Sequence, residues 1–250
     1  MIPKIIHYCW FGRNEKTKKM EKCIDSWKKF CPDYQIIEWN EGNFIIDEQC
    51  DYIKEAYKNK KYAFVSDVAR LKIIYENGGI YLDTDVEVLK TLDDLLSNQC
   101  FIGWQDEKYV ANGLGFGAEK ENKFIGENLK CYENESFIND DGSLNMKACP
   151  IYTTEVLKKF GLKMENSIQN LGVVTIYPVD YFNPLDDATN RLRITDNTYS
   201  IHWYAKTWVS KKNKIRGKIT RFFHRHFGVD CFLPLKNFLN KIKKEKNDYK

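Results

Sequence analysis

The stretch from Tyr62 to Asp85 constrains the fold more than any other part of the chain. Phe64, Val68, Leu71 and Tyr75 recur at helical spacing and make one apolar stripe along residues 62–77. Asn77-Gly78-Gly79 then supplies a helix stop, because glycine enters the left-handed region without a Cβ clash. Ile80-Tyr81-Leu82 begins a strand at once; Asp83-Thr84-Asp85 interrupts it, and it resumes at Val86 and Val88. A helix that feeds directly into an apolar strand, which ends on two carboxylates, is a unit of alternating α/β structure.

The same alternation precedes and follows it. Residues 2–10 form an apolar first strand closed by Gly12, and residues 16–30 have helical spacing through Met20, Cys23, Ile24 and Trp27 until Cys31-Pro32-Asp33. Residues 34–39, 101–104, 114–116 and 173–177 read as further strands. The expected fold class is α/β, with a mixed, mainly parallel central sheet flanked by helices. In 250 residues, 43% hydrophobic and 14% aromatic, a disordered chain is excluded and a sizeable core is available. No apolar run reaches the ~18 residues of a membrane-spanning helix, and the opening apolar run is too short for a signal sequence. A soluble chain without a cleaved leader is therefore expected. The eight cysteines never form a Cys-x-x-Cys pair and read as reduced thiols. His224, His226 and Cys231 form a weak metal-ligand pattern lying among basic residues.

The net charge of +4 conceals a polarity. Residues 206–250 hold 14 Lys+Arg against three acids, a charge of +11, which leaves residues 1–205 at −7. Within the tail, Ile215, Ile219, Phe222, Phe223, His226 and Phe227 recur at helical spacing among Lys214, Arg216, Lys218, Arg221 and Arg225. This pattern fits an interfacial helix on an anionic membrane through residues 211–246; a helix packed on the body of the protein is the alternative. Nucleic acid is not expected as a partner, because no recognised module accompanies the cations.

Two carboxylates spaced as in Asp83-Thr84-Asp85 project to the same side of an extended chain and can share one hard cation. Alone the pattern carries little information: 18 Asp in 250 residues give about 1.3 chance occurrences. Its surroundings decide. Phe64-Val65-Ser66-Asp67-Val68-Ala69-Arg70, then Tyr75-Glu76-Asn77-Gly78-Gly79-Ile80-Tyr81-Leu82-Asp83-Thr84-Asp85, closely resembles the signature of family-32 glycosyltransferases and of the related clostridial glucosylating toxins. The opening Ile2-Pro3-Lys4-Ile5-Ile6-His7-Tyr8-Cys9-Trp10-Phe11-Gly12 is similar to that family's first strand. Ser200-Ile201-His202-Trp203-Tyr204-Ala205-Lys206-Thr207-Trp208 is similar to its closing segment, with Ala205 where related enzymes often carry glycine.

The resemblance implies a GT-A type nucleotide-sugar-binding fold. One catalytic domain would span residues 1–205, with the closing segment running to about 210 and a basic amphipathic tail over 206–250. It implies a metal-dependent, retaining hexosyltransferase that moves a hexose or N-acetylhexosamine from a UDP-sugar to a glycan or lipid-linked oligosaccharide acceptor in bacterial surface polysaccharide synthesis. Residue by residue, Trp10 would stack on uracil, and Asp67 with Arg70 would hold ribose or sugar hydroxyls. Tyr81, Asn112, Lys206 and Trp208 would contact the donor. Asp83, Asp85 and His202 would hold Mn2+ or Mg2+, and Asp83, Asp85 and Arg70 carry the catalytic role. A cytoplasmic enzyme, peripheral on the inner face of the cell membrane, is the matching location. Two other readings stand beside it: a phosphohydrolase of the haloacid-dehalogenase type, disfavoured by Glu87 at a position that normally carries Thr or Val, and a non-catalytic nucleotide-sugar-binding module.

Overall fold

A computed structural model describes residues 1–205 and 211–234. The chain divides into two compact units, Met1–Pro184 with Ile194–Trp208, and Leu185–Arg193 with Val209–Lys250. The short segment 185–193 therefore groups with the tail, although the sequence places it within the body.

In the first unit the elements follow one another as β1 (Ile5–Cys9), α1 (Lys18–Phe30), β2 (Gln35–Trp39), α2 (Asp51–Lys58), α3 (Tyr62–Asn77), β3 (Gly79–Tyr81) and β4 (Val86–Val88). Then come β5 (Cys100–Trp104), β6 (Val110–Ala111), β7 (Phe116–Ala118), α4 (Lys123–Lys130), α5 (Cys149–Lys159), β8 (Gln169–Asn170), β9 (Thr175–Tyr177) and α6 (Val179–Phe182). The second unit takes β10 (Leu185–Asp186) and β11 (Arg191–Leu192); the first closes with β12 (Ser200–His202), and the second with α7 (Lys211–Phe227).

The central sheet runs β2-β1-β3-β7-β5-β9-β8, with β6 beside β5. The pairs β1–β2, β1–β3 and β5–β9 are parallel. The inserted β7 is antiparallel to both β3 and β5, so β2, β1, β3, β5 and β9 share one direction. This is the expected mixed sheet with flanking helices. Alternate residues of its strands enter two apolar clusters: Ile80 and Phe101 pack with Trp27, Tyr8 and Phe182, while Tyr81 and Ile102 pack with Val68, Leu71 and Phe116.

Three local expectations are corrected. Helix α1 starts at Lys18 because Thr17 caps it, its hydroxyl accepting from the Met20 N–H at 3.4 Å. The strand expected at 114–116 is a single turn over Asn112–Leu114 and then β7, because Gly115 takes φ +109° between them. The chain at Val86 is not the resumed β3. It turns away after Asp83, and β4 pairs with β12 in a separate antiparallel ribbon.

Helix α3 buries more than the expected stripe: Val65, Val68, Ala69, Leu71, Ile73 and Ile74 are all covered, because α2, α4 and the sheet contact it on several sides. It ends at Gly78 (φ +68°) and Gly79 (φ +102°). A Cβ at Gly79 would lie 2.8 Å from Nε2 of His7 and 2.9 Å from the Ile5 carbonyl oxygen, so only glycine lets α3 pass directly into β3. All eight cysteines are free thiols.

Candidate active site

The parallel pairing of β1 and β3 aligns His7 with Tyr81, so the carboxyl ends of both strands, carrying Trp10 and Asp83, lie at one edge of the sheet. Asp83-Thr84-Asp85 is a tight turn rather than an extended chain, closed by the Val86 N–H donating to the Asp83 carbonyl at 2.9 Å. The convergence of the two carboxylates thus comes from a turn, and the spacing argument for an extended strand does not apply.

Arg70 is the centre of the site, although it is only 2% exposed. It sits one turn after Asp67 on α3, and its Nη2 donates to the Asp67 carboxylate. Nη1 donates to Asp83 at 3.3 and 3.4 Å, and the guanidinium lies over the Tyr81 ring, 5.8 Å from its centroid. Two carboxylates around one buried guanidinium give a net negative knot. Burial raises the Asp83 carboxyl above its ordinary range; Arg70 opposes this, and the like charge of Asp85 adds to it.

Asp85 is held differently. Its Oδ1 lies 3.2 Å from Nε2 of His202, and its Oδ2 accepts from the Ala205 N–H at 2.6 Å. Burial alone would raise this carboxyl, but the charge of His202 and these donors outweigh it and hold it at about 2. The His202 imidazole is raised in turn, because the Asp85 carboxylate overcomes the opposing effect of burial. The segment around His202 is fastened to the acidic turn at several points. In the β12–β4 register His202 faces Val86, the Trp203 N–H donates to the Asp85 carbonyl at 2.9 Å, and the Trp203 indole donates to Glu87 at 2.8 Å. The glycine common in relatives is not needed at Ala205, whose contribution is its backbone N–H; the left-handed residue is Tyr204 (φ +47°).

Asp83, Asp85 and His202 each offer a ligand atom within 4.8 Å of the others, and they are the one such group of three among the described residues. His224, His226 and Cys231 form no comparable group there. Two carboxylates and an imidazole suit a divalent cation such as Mn2+ or Mg2+. Unsatisfied atoms around them fit a bound ligand: Nδ1 of His202 and both amide atoms of Asn112 are buried without a hydrogen-bond partner. Asn112 is 1% exposed. The following Gly113 leaves room for the acidic turn, since a Cβ there would stand 2.8 Å from Oδ2 of Asp83.

Trp10 is half-buried, its indole N–H donating to the Asn14 carbonyl at 2.7 Å. It lines a cavity of about 370 Å3 with Arg13, Glu38, Asn40, Glu41 and Gly42. Tyr81 is buried, with its ring against Phe116 and beneath Arg70, and its hydroxyl is hydrogen-bonded to the Asp83 carboxylate. Lys206 and Trp208 lie outside the described residues.

Sequence reasoning missed Cys149, the first residue of α5, whose sulfur accepts from Nη2 of Arg70 at 2.8 Å. Gly113, read in the sequence together with Asn112 as part of the sugar-contacting stretch, lies against Asp83. The signal for Cys149 was its neighbour, because Pro150 in the first turn marks a helix start there.

A family model described as the glycosyltransferase sugar-binding region containing DXD motif matches residues 17–102, which include Asp67, Arg70, Asp83 and Asp85. The chain is similar to inositol phosphoceramide mannosyltransferase 3 of Schizosaccharomyces pombe, 32% identical over 131 residues that cover 50% of this chain and 35% of that protein. It is also similar to mannosyl phosphorylinositol ceramide synthase CSH1 of Saccharomyces cerevisiae, 25% identical over 189 residues, or 72% of this chain and 49% of the relative. The chain therefore spans between a third and a half of the length of these relatives. Among solved structures it is similar to the PaToxG glycosyltransferase, with a TM-score of 0.49 and 20% identity over 63% of this chain and 68% of that one. The Asp83-Thr84-Asp85 motif singled out in the sequence lies inside the residues that this family model matches. These two curated relatives are fungal and carry ceramide names, whereas the resemblance read in the sequence pointed to bacterial surface polysaccharide and clostridial toxins.

Proposed function

We propose that this chain is a metal-dependent glycosyltransferase that moves a hexose, with retention, from a nucleotide sugar such as a UDP-hexose to a glycan or lipid-linked acceptor. The observation that carries this reading is the cluster of Asp83, Asp85 and His202, with Gly113 packed against Asp83. Asp83, Asp85 and His202 would hold the cation. When bound, a divalent ion supplies positive charge against the diphosphate as negative charge develops on the leaving group.

The protein's own groups do the rest. Arg70 fixes the Asp83 carboxylate, and the Ala205 N–H fixes that of Asp85, so neither has to reorganise as the bond breaks. The buried Asn112 amide offers one donor group and one acceptor group to sugar hydroxyls. The Trp10 ring presents an aromatic face for the base, its N–H being already engaged. Acceptor chemistry follows the names of the two fungal relatives, which makes a ceramide-type glycolipid the first acceptor to try, with surface glycans second.

Both carboxylates of the turn are engaged by protein donors, which does not favour a free aspartate nucleophile of the phosphohydrolase kind. The test is thermal shift against a panel of nucleotide sugars, mannosyl donors included, with and without Mn2+, followed by product analysis for the bound donor. A Mn2+-dependent shift and a glycosylated product are expected. No shift with any donor, or release of inorganic phosphate from a phosphomonoester, would reject the reading.

A further inference from the structure

Helix α7 carries a surface that the transfer chemistry does not use. At about 100° per residue, Phe222, Ile215, His226, Ile219, Phe223 and Phe227 fall within an arc of about 140°, which Arg216 also enters between Phe223 and Phe227. Lys218, Arg221 and Arg225 fall together along one border of that arc. The apolar side chains are not covered: Ile215 is 61%, Phe222 59% and Phe227 69% exposed. The ring contacts of this face run along the helix and its immediate continuation, Phe222 with His226, and Phe223 with Phe227 and Phe232. Val229 and Leu233 extend the exposed apolar surface past the end of α7. Arg191 donates to the Arg225 carbonyl at 2.7 Å, and Arg221 lies 3.5 Å from Asp187, so β10 and β11 brace the polar border and leave the phenylalanines bare.

We infer that the apolar face of α7 docks on an anionic phospholipid surface, with Phe222, Phe227, Ile215 and Ile219 entering the acyl boundary and the exposed Lys218 and Arg225 meeting the headgroups. Charge complementarity selects this occupant. The segment from residue 206 onward carries +11, which repels a second copy of itself, and an aromatic face flanked by cations matches an interface that is apolar below and anionic above. Exposed phenylalanines also have no use on a phosphate backbone alone, which cations would bind without them. The inference goes beyond the transferase reading and does not depend on it, because docking is measured with neither donor nor acceptor present.

The experiment is flotation of the full-length chain with phosphatidylcholine vesicles and with phosphatidylcholine–phosphatidylglycerol vesicles, at low and high salt. The protein is expected to float with the anionic vesicles alone and to be partly released by salt. The double variant Phe222→Ser/Phe227→Ser should lower the vesicle-bound fraction about tenfold or more, and Lys218→Glu/Arg225→Glu should remove the preference for phosphatidylglycerol. Both pairs lie on exposed positions, and unchanged thermal melting and donor binding would show that the catalytic unit is intact. Equal soluble fractions with and without vesicles, or equal flotation of the phenylalanine variant, would overturn the inference. So would binding to duplex nucleic acid in the absence of vesicle binding, or a dimer abolished by the phenylalanine variant.

Discussion

At the carboxyl end of β3 the charges are buried against one another, whereas along α7 cations and phenylalanines lie exposed side by side. Asp67 and Asp83, both half-buried, are hydrogen-bonded to the buried Arg70, and Asp85 is tied to His202 and Ala205. On α7, Ile215, Phe222 and Phe227 find no cover. The difference teaches how to read charge in such a chain. A buried network with an excess of carboxylate is poised for a cation, because neutralising it relieves the raised Asp83. An exposed network beside aromatic rings is poised for a surface. A net charge of +4 averages the two and describes neither.

The comparison breaks most severely if the buried side tolerates loss of a carboxylate. Asp85→Asn is expected to lower kcat for transfer by about 10^3-fold or more, roughly 4 kcal/mol of transition-state stabilisation, with a smaller loss of stability from the missing His202 ion pair. Activity near that of the parent would remove the site. Arg70→Met is the next largest. It leaves the half-buried Asp67 and Asp83 without their cation and should cost up to about 3 kcal/mol of stability, read as a lowered denaturant midpoint. A midpoint within error of the parent would show that the knot is not held by its charge.

His7 offers a third, pH-dependent test of the same edge of the sheet. Burial pushes its imidazole down to about 4 from an ordinary 6.5, and it bridges the Trp39 indole and the Gly78 carbonyl at 3.0 Å each. The unfolded chain therefore takes up the proton first as pH falls. The stability due to neutral His7 is complete above pH 6.5 and is lost progressively toward pH 4, a change of up to about 3 kcal/mol. Chemical denaturation across that range should show the loss, and His7→Gln should flatten it; an equally steep profile in the variant would assign the acid sensitivity elsewhere. The smallest effect expected is that of Gly113→Ala. Its Cβ would press on Oδ2 of Asp83 and should lower kcat about tenfold while costing about 1 kcal/mol of stability or less. A larger loss of stability than of turnover would make Gly113 a packing residue only.

Much of this was legible from residue types. The helix over Tyr62–Asn77, its glycine stop and the strand after it follow from spacing and from the conformational freedom of Gly78 and Gly79. The matched region around Asp67, Arg70, Asp83 and Asp85 needed the whole context, because two aspartates alone occur by chance. What stayed hidden depends on long-range pairing. The turn at Asp83 is set by where β4 must go to meet β12, more than a hundred residues later. Insertion of β7 against the direction of its neighbours, and the arrival of Cys149 at Arg70 from α5, leave no local pattern in the chain. Helices α2, α4 and α5 are short, and packing rather than a long periodic stripe fixes them.

The central claim is that the end of β3 is a divalent-cation and nucleotide-sugar site, and titration calorimetry of Mn2+ tests it without requiring the acceptor. Wild-type protein should bind one Mn2+, more tightly when UDP is present. Asp85→Asn and His202→Ala should each weaken that binding at least about tenfold without unfolding the chain. Mn2+ affinity that is the same in all three proteins, or unaffected by the nucleotide, would contradict the account.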